Sequence, residues 1–215
     1  MSIRIATNSP CDIPLNEARQ IGVDIVPLKI VFDGREYREG VDMGIEEFYV
    51  ALKSSFHAVT TSQPSPMEYL TLIEDAKRAK DSLIILAMAS SLSGAYQSAV
   101  IAKEMSDYPY VYVIDTHQAI MGLRLMVEHA VKLRDSGMGA PDIVEELIRL
   151  RPRVVIWSMV DTLEYLHRGG RISAAVKILG SLLNIKPIVS MRENLMSMIA
   201  VSYTHLRAHE TLSDL

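Results

Sequence analysis

Three segments are rich in hydroxyl groups: Thr7-Asn8-Ser9-Pro10-Cys11-Asp12, Thr60-Thr61-Ser62-Gln63 and Ser90-Ser91-Leu92-Ser93-Gly94. The last two run straight into expected helix N-termini, where free backbone N–H groups and the positive dipole end favour an anion. Hydroxyls add donors without adding charge. Such a pocket suits one carboxylate or phosphate held in a fairly dry place. The plainer alternative is that Ser65 and Ser93 only cap their own helices, and spacing alone favours capping for any single loop.

Other chemistries fit less well. A serine-hydrolase elbow needs glycine two residues either side of its serine, and around Ser93 those positions hold Ser91 and Ala95. There is no Walker A pattern. Gly137-Met138-Gly139 begins like a dinucleotide loop but follows a helix and lacks the third glycine. His57, His117, His129 and His167 show no metal-ligand spacing. His117, just after Asp115, could reach a strand-end crevice with its role open, and His129 falls in mid-helix. Cys11 could be a nucleophile, yet no histidine lies near it in sequence. Arg168-Gly169-Gly170-Arg171 is the most suggestive basic segment, because the fork of Arg171 suits a carboxylate or phosphate. Its plain reading is a solvated helix C-terminus. Twelve methionines, including Met88, Met121, Met126 and Met159 on apolar elements, fill a core or line a pocket for a flexible chain.

The elements that must position these residues alternate. Strands are expected at Ile3–Ala6, Val23–Phe32 (with Pro27 marking an edge or bulge), Ser82–Ala89, Tyr110–Ile114, Val154–Val160 and Ile185–Ser190. Asp33-Gly34 signals a hairpin, and Thr60 to Pro64 a loop. Helices are expected after Pro14 up to Gly22, over Ile45–Leu52, after Ser65 to about Lys80, and after Ser93 to Met105. Others run from about Gln118 to Gly137, after Asp142 and Asp161, and after Ser173, the Asp161 helix stopping at Gly169-Gly170. Strands alternating with capped helices predict an α/β protein with a mostly parallel sheet. Arg149-Leu150-Arg151-Pro152-Arg153 interrupts the pattern and suggests a boundary near residues 150 to 160.

Composition narrows the rest. A formal charge of -4, with 49% apolar and 22% charged residues over 215 positions, describes a folded chain and argues against gripping nucleic-acid phosphate. No run of apolar residues is long enough to span a membrane, and the start resembles no signal peptide, so a cytoplasmic location is expected. One cysteine excludes an internal disulfide framework. Val201 to Thr211 reads as a translated transposase sequencing adapter. Residues 201–215, with His205 and His209, are therefore expected to be a non-native tail following a gene cut near residue 200.

Taken together, the motifs resemble the DegV family of bacterial fatty-acid-binding proteins. The matching segments are Thr60 to Pro66, Ser90 to Ala99, Asp161 to Leu166 with Gly169 to Ser173, and Leu179 to Pro187. Thr7 to Asp12 is similar to the family's Asp-Ser-x-x-Asp start, with Asn8 where Asp is usual. The resemblance covers residues 3 to about 191. It implies a three-layer α/β/α domain with a parallel sheet over 1–152 and the start of a second, incomplete α/β domain over 153–200. One long-chain fatty acid would lie buried between the domains. Thr61 and Ser93 would hydrogen-bond its carboxylate, with Ser62, Gly94 and Arg171 about the head group. The resemblance also implies a carrier subunit that presents the acid to an ATP-binding fatty acid kinase subunit. Such a carrier would need no catalytic residue, cofactor or metal of its own, no nucleic acid and no transmembrane segment, with at most transient membrane contact. Family chains are longer, and their C-terminal part supplies further strands, pocket wall and a head-group histidine. The rivals are a small hydrolase or phosphotransfer enzyme using Ser93 and Asp115, and a regulatory or interaction module whose pocket is empty.

Overall fold

The computed structural model describes residues 1–32, 34–54, 59–172 and 185–203. They fall into two units, Met1–Ile156 with Met191–Leu195, and Trp157–Ser190 with Met196–Leu215.

In the first unit, β1 runs Ile3–Asn8, two residues into the expected polar loop. The strand continues because its polar side chains are satisfied indoors. Thr7 Oγ1 donates to Leu86 O at 2.9 Å, and Asn8 Oδ1 accepts the Met88 N–H at 3.1 Å. Pro14 then leads into α1 (Leu15–Gln20), which Gly22 ends at φ +65°. The β-branched run that follows is not one strand. It divides at Pro27-Leu28 into β2 (Val23–Val26) and β3 (Lys29–Phe32), since proline has no N–H to give a ladder. β3 turns into β4 (Arg35–Arg38) with Phe32 opposite Arg35, as the Asp33-Gly34 signal requires; Asp33 itself lies outside the described residues.

After α2 (Ile45–Ser54), the expected loop at Thr60 is a third strand, β5 (Thr60–Ser62). It pairs antiparallel with β3, Thr61 opposite Ile30; consecutive β-branched threonines suit an edge strand. α3 (Pro66–Ala79), β6 (Ser82–Ala87), α4 (Ala95–Met105), β7 (Val111–Asp115), α5 (Ile120–Asp135) and α6 (Ala140–Leu150) complete the unit. Two helix starts differ from expectation. Gly94 rather than Ser93 is the N-cap of α4, and α6 begins at Gly139-Ala140, which places Asp142 inside its first turn.

The main sheet has the order β2-β1-β6-β7 and is parallel throughout. All six residues of β6 are buried, as its unbroken apolar run predicts for a central strand covered on both faces. Tyr69, Ile73 and Ala76 of α3 pack on Leu83 and Ile85, together with Ala99 and Ala102 of α4. β4-β3-β5 forms a separate small sheet.

β8 (Ile156–Met159) leads into the second unit, with α7 (Glu164–Arg168), β9 (Ile185–Arg192) and β10 (Leu195–Tyr203) in the sheet order β10-β9-β8. Leu163, Ile172 and Val189 form its core. β8 is shorter than its apolar sequence suggests, and Trp157 and Met159 are exposed. The first turn of α7 is supported by Thr162 Oγ1, which accepts the Glu164 N–H at 3.1 Å, while Asp161 pairs with Lys186 instead of capping. α7 stops at Gly169-Gly170, Gly170 having φ +72°; the helix expected after Ser173 lies outside the described residues. The β9–β10 hairpin is absent from the sequence reading. Its two central residues, Glu193 and Asn194, have φ +50° and +62°, the signs of a type I′ turn, which asparagine tolerates well. β10 reaches Tyr203, and residues 204–215 are not described.

Candidate functional site

The carboxyl ends of β1, β6 and β7 gather the hydroxyl segments, and the structure sorts them. The first is consumed internally. Besides the Thr7 and Asn8 bonds, Ser9 Oγ donates to Glu39 Oε2 at 2.6 Å and accepts the Leu28 N–H at 2.9 Å. Asn8 Nδ2 donates to the buried Tyr69 hydroxyl at 2.6 Å and lies 3.4 Å from Val26 O. An amide can accept and donate at once, so Asn8 ties three elements together where a carboxylate could only accept.

The second and third segments meet. A Cβ placed on Gly94 would lie 2.8 Å from Gln63 Nε2 and 3.0 Å from Gln63 Cδ. The absence of a side chain at Gly94 therefore lets the end of β5 close on the turn before α4. Thr61 is exposed, Ser62, Ser93 and Gly94 are half-buried, and the segment is braced by buried Pro64 on one side and Leu92 on the other.

The two helix N-termini are not equivalent. At α3 the Glu68 carboxylate accepts the Ser65 N–H at 2.7 Å and the Ser65 hydroxyl at 2.8 Å. Lys29 Nζ stands 3.8 Å from Glu68 and 3.6 Å from Glu36. That terminus already holds an anion of its own, so the plain capping role is the right one for Ser65. At α4 no acidic residue occupies the first turn. Ser93 Oγ accepts the Ala95 N–H at 3.2 Å, which leaves the hydroxyl proton to donate elsewhere. An anion approaching there meets one hydroxyl donor and the positive end of an 11-residue helix.

Behind the turn, Asp115 Oδ1 accepts the Ser90 N–H at 3.2 Å and the His117 N–H at 3.1 Å. Arg151 donates to Asp115 O at 3.0 Å. Burial and the Arg151 charge hold His117 below the ordinary imidazole value, against the pull of Asp115, whose Oδ2 is 3.7 Å from Nε2. His117 is therefore neutral at pH 7 and serves this cluster. Among the described residues, no histidine or carboxylate hydrogen-bonds Ser93 Oγ. Arg171 belongs to the second unit, where its guanidinium donates to Gly169 O.

Cys11 is fully buried, and burial pushes its thiol up to about 11, against the pull of the Ile13 N–H. It is no nucleophile at neutral pH. Alkylation at pH 8 is expected to be roughly a hundredfold or more slower in the folded chain than in denaturant, because both thiolate fraction and access are lost. Equal rates, followed by mass spectrometry, would contradict this placement. Among the described residues no group of His, Cys, Asp and Glu could hold a metal ion, and no helix is long and apolar enough to cross a membrane.

Sequence reasoning missed two participants, Gln63 as the contact on Gly94 and Asn194, whereas Glu68 at the α3 terminus is legible in the capping box Ser65-Pro66-Met67-Glu68. Nothing local in sequence marks the first two, because their partners are remote.

A parallel sheet with helices, and a hydroxyl-lined turn between β6 and α4, define the class as an α/β protein. A family model described as "Uncharacterised protein, DegV family" matches residues 2–215, and the chain belongs to the DegV family. A DegV domain-containing protein of Caldanaerobacter subterraneus subsp. tengcongensis is 37% identical over 197 residues, 92% of this chain and 70% of that one. Among solved structures, a DegV family protein from Thermus thermophilus described for its fatty acid binding superposes with a TM-score of 0.84 at 33% identity. The match covers 94% of this chain and 72% of the other. A stearic acid-binding protein from Eubacterium ventriosum gives 0.86 at 27% identity, over 95% and 72%.

Proposed function

We propose that this protein binds a long-chain fatty acid and holds its carboxylate with the hydroxyls of Thr61 and Ser93 at the N-terminus of α4. The observation that carries this reading is the closure of Gln63 onto Gly94, which brings the β5 segment against the one hydroxyl turn whose helix end is open. Ser62 and Gly94 border the same place, and Arg171 joins the reading on its motif alone. The fatty acids described for the Thermus thermophilus and Eubacterium ventriosum proteins support the ligand class.

The energetics are adequate. Burying an acyl chain at about 0.8 kcal/mol per methylene is worth on the order of 10 kcal/mol. Association costs of several kcal/mol leave an affinity in the micromolar range or better. The carboxylate cannot lie bare in such a place, so neutral donors and a helix end must receive it. By resemblance of its motifs, the chain presents that carboxylate to an ATP-dependent kinase subunit in the cytoplasm, and the partner carries out the phosphorylation.

Solvent extraction of the purified chain with mass spectrometry of the extract tests the ligand. A stoichiometric long-chain fatty acid is expected. A folded chain that is empty and takes up no added acid would overturn the reading. Acyl phosphate formation when the loaded chain is mixed with a bacterial fatty acid kinase subunit and ATP tests the presentation.

A further inference from the structure

We infer that Asn194 is a positioning residue for the Ser90–Gly94 turn, and through it for the fatty acid head group; the inference rests on the function proposed above. The turn between β6 and α4 uses its own backbone donors in order. The Leu92 and Ser93 N–H groups go to Ala89 O at 3.0 and 3.2 Å. The Ser90 N–H goes to Asp115 Oδ1. The Ser91 N–H goes to Asn194 Oδ1 at 3.3 Å, and Asn194 Nδ2 donates to Ser90 Oγ at 2.9 Å. One carboxamide thus grips the backbone of one serine and the side chain of the one before it.

Two consequences follow for an anion. The Ser90 and Ser91 amides are already engaged, so a carboxylate is directed to the Ser93 hydroxyl and the first turn of α4. The turn is also fixed before the ligand arrives, which spares binding the cost of ordering it. Ser90 and Ser91 are exposed, and the clamp adds to the Asp115 bond in holding them. The residue type fits both duties. At φ +62° glycine would satisfy the hairpin equally well, but only a short side chain with both an acceptor and a donor satisfies the turn as well.

The test compares the full chain with Asn194→Gly, which keeps the backbone conformation and removes the clamp. Affinity for a long-chain fatty acid and for its uncharged methyl ester would be titrated, and amide exchange followed at Ser91. The acid is expected to bind roughly fivefold more weakly, the worth of about one hydrogen bond, with ester affinity unchanged, melting temperature only slightly lowered and Ser91 exchange faster. Ser90→Ala added to Asn194→Gly should change nothing further. Unchanged acid affinity overturns the inference, as does an equal loss for acid and ester, which would mark Asn194 as merely structural. If the parent chain binds neither compound, the fatty acid reading itself fails and this inference falls with it.

Discussion

A chain carrying Thr61→Ala and Ser93→Ala together is expected to bind a long-chain fatty acid about a hundredfold more weakly than the parent. A hydrogen bond to a charged group is worth roughly 1.5–3 kcal/mol, and a buried carboxylate that loses both donors also retains its desolvation cost. Stability should move far less. Thr61 is exposed on an edge strand, and Ser93 Oγ contributes one local bond to Ala95 N–H, worth about 1 kcal/mol. The two effects separate cleanly when the Kd from titration is set beside the melting temperature. An unchanged Kd in the folded double variant would sink the head-group assignment, whatever becomes of the acyl chain.

Gly122→Ala is expected to destabilise the first unit by about 2–3 kcal/mol. On an ordinary helix the same change stabilises by roughly 0.5–1 kcal/mol, so the sign depends on what surrounds the position. Here a Cβ would lie 2.4 Å from Gln118 Oε1 and 2.8 Å from Ile156 Cγ1. Gln118 cannot swing aside, because it is fully buried and its Nε2 donates to Val154 O at 2.8 Å. Its Oε1 has no hydrogen-bond partner among the described residues, and Ile120, two residues on, sits at φ +47°, costly for a β-branched side chain. The segment from the end of β7 at Asp115 to Gly122 in the first turn of α5 is thus already tightly packed, and a methyl group would have to displace both neighbours. A denaturant midpoint equal to or above the parent's would contradict this.

How much of this was legible in the sequence follows from where each signal resides. β6 reads directly from Ser82-Leu83-Ile84-Ile85-Leu86-Ala87, because a strand buried on both faces needs no alternation. α3 reads from its capping box. β5 did not, since three residues supply no period, and it is a strand only because β3 lies beside it. The division at Pro27 was visible as a proline but not as a change of sheet. For the site, residue types and order pointed to Thr61 and Ser93 through the family motifs. What the sequence could not rank was the two helix ends, because the difference is made by Glu68 folding back at one and by nothing acidic standing at the other. Asn194 was illegible for the same reason. Its partners, Ser90 and Ser91, are more than a hundred positions away.

The sheet order β2-β1-β6-β7 carries a consequence for synthesis. β1 lies between β2 and β6, and Ile3 is paired with Ser82. When β1 and β2 leave the ribosome, one flank of β1 has no partner, and it stays open while about sixty further residues, through the end of β6 at Ala87, are made. At roughly 5–20 residues per second that interval lasts about 3–12 s. Through it, Ile5 and Ala6, fully buried in the finished sheet, are exposed to any strand or chaperone that reaches them first. The nascent chain therefore depends on protection during elongation, until β6 arrives and closes the sheet around them.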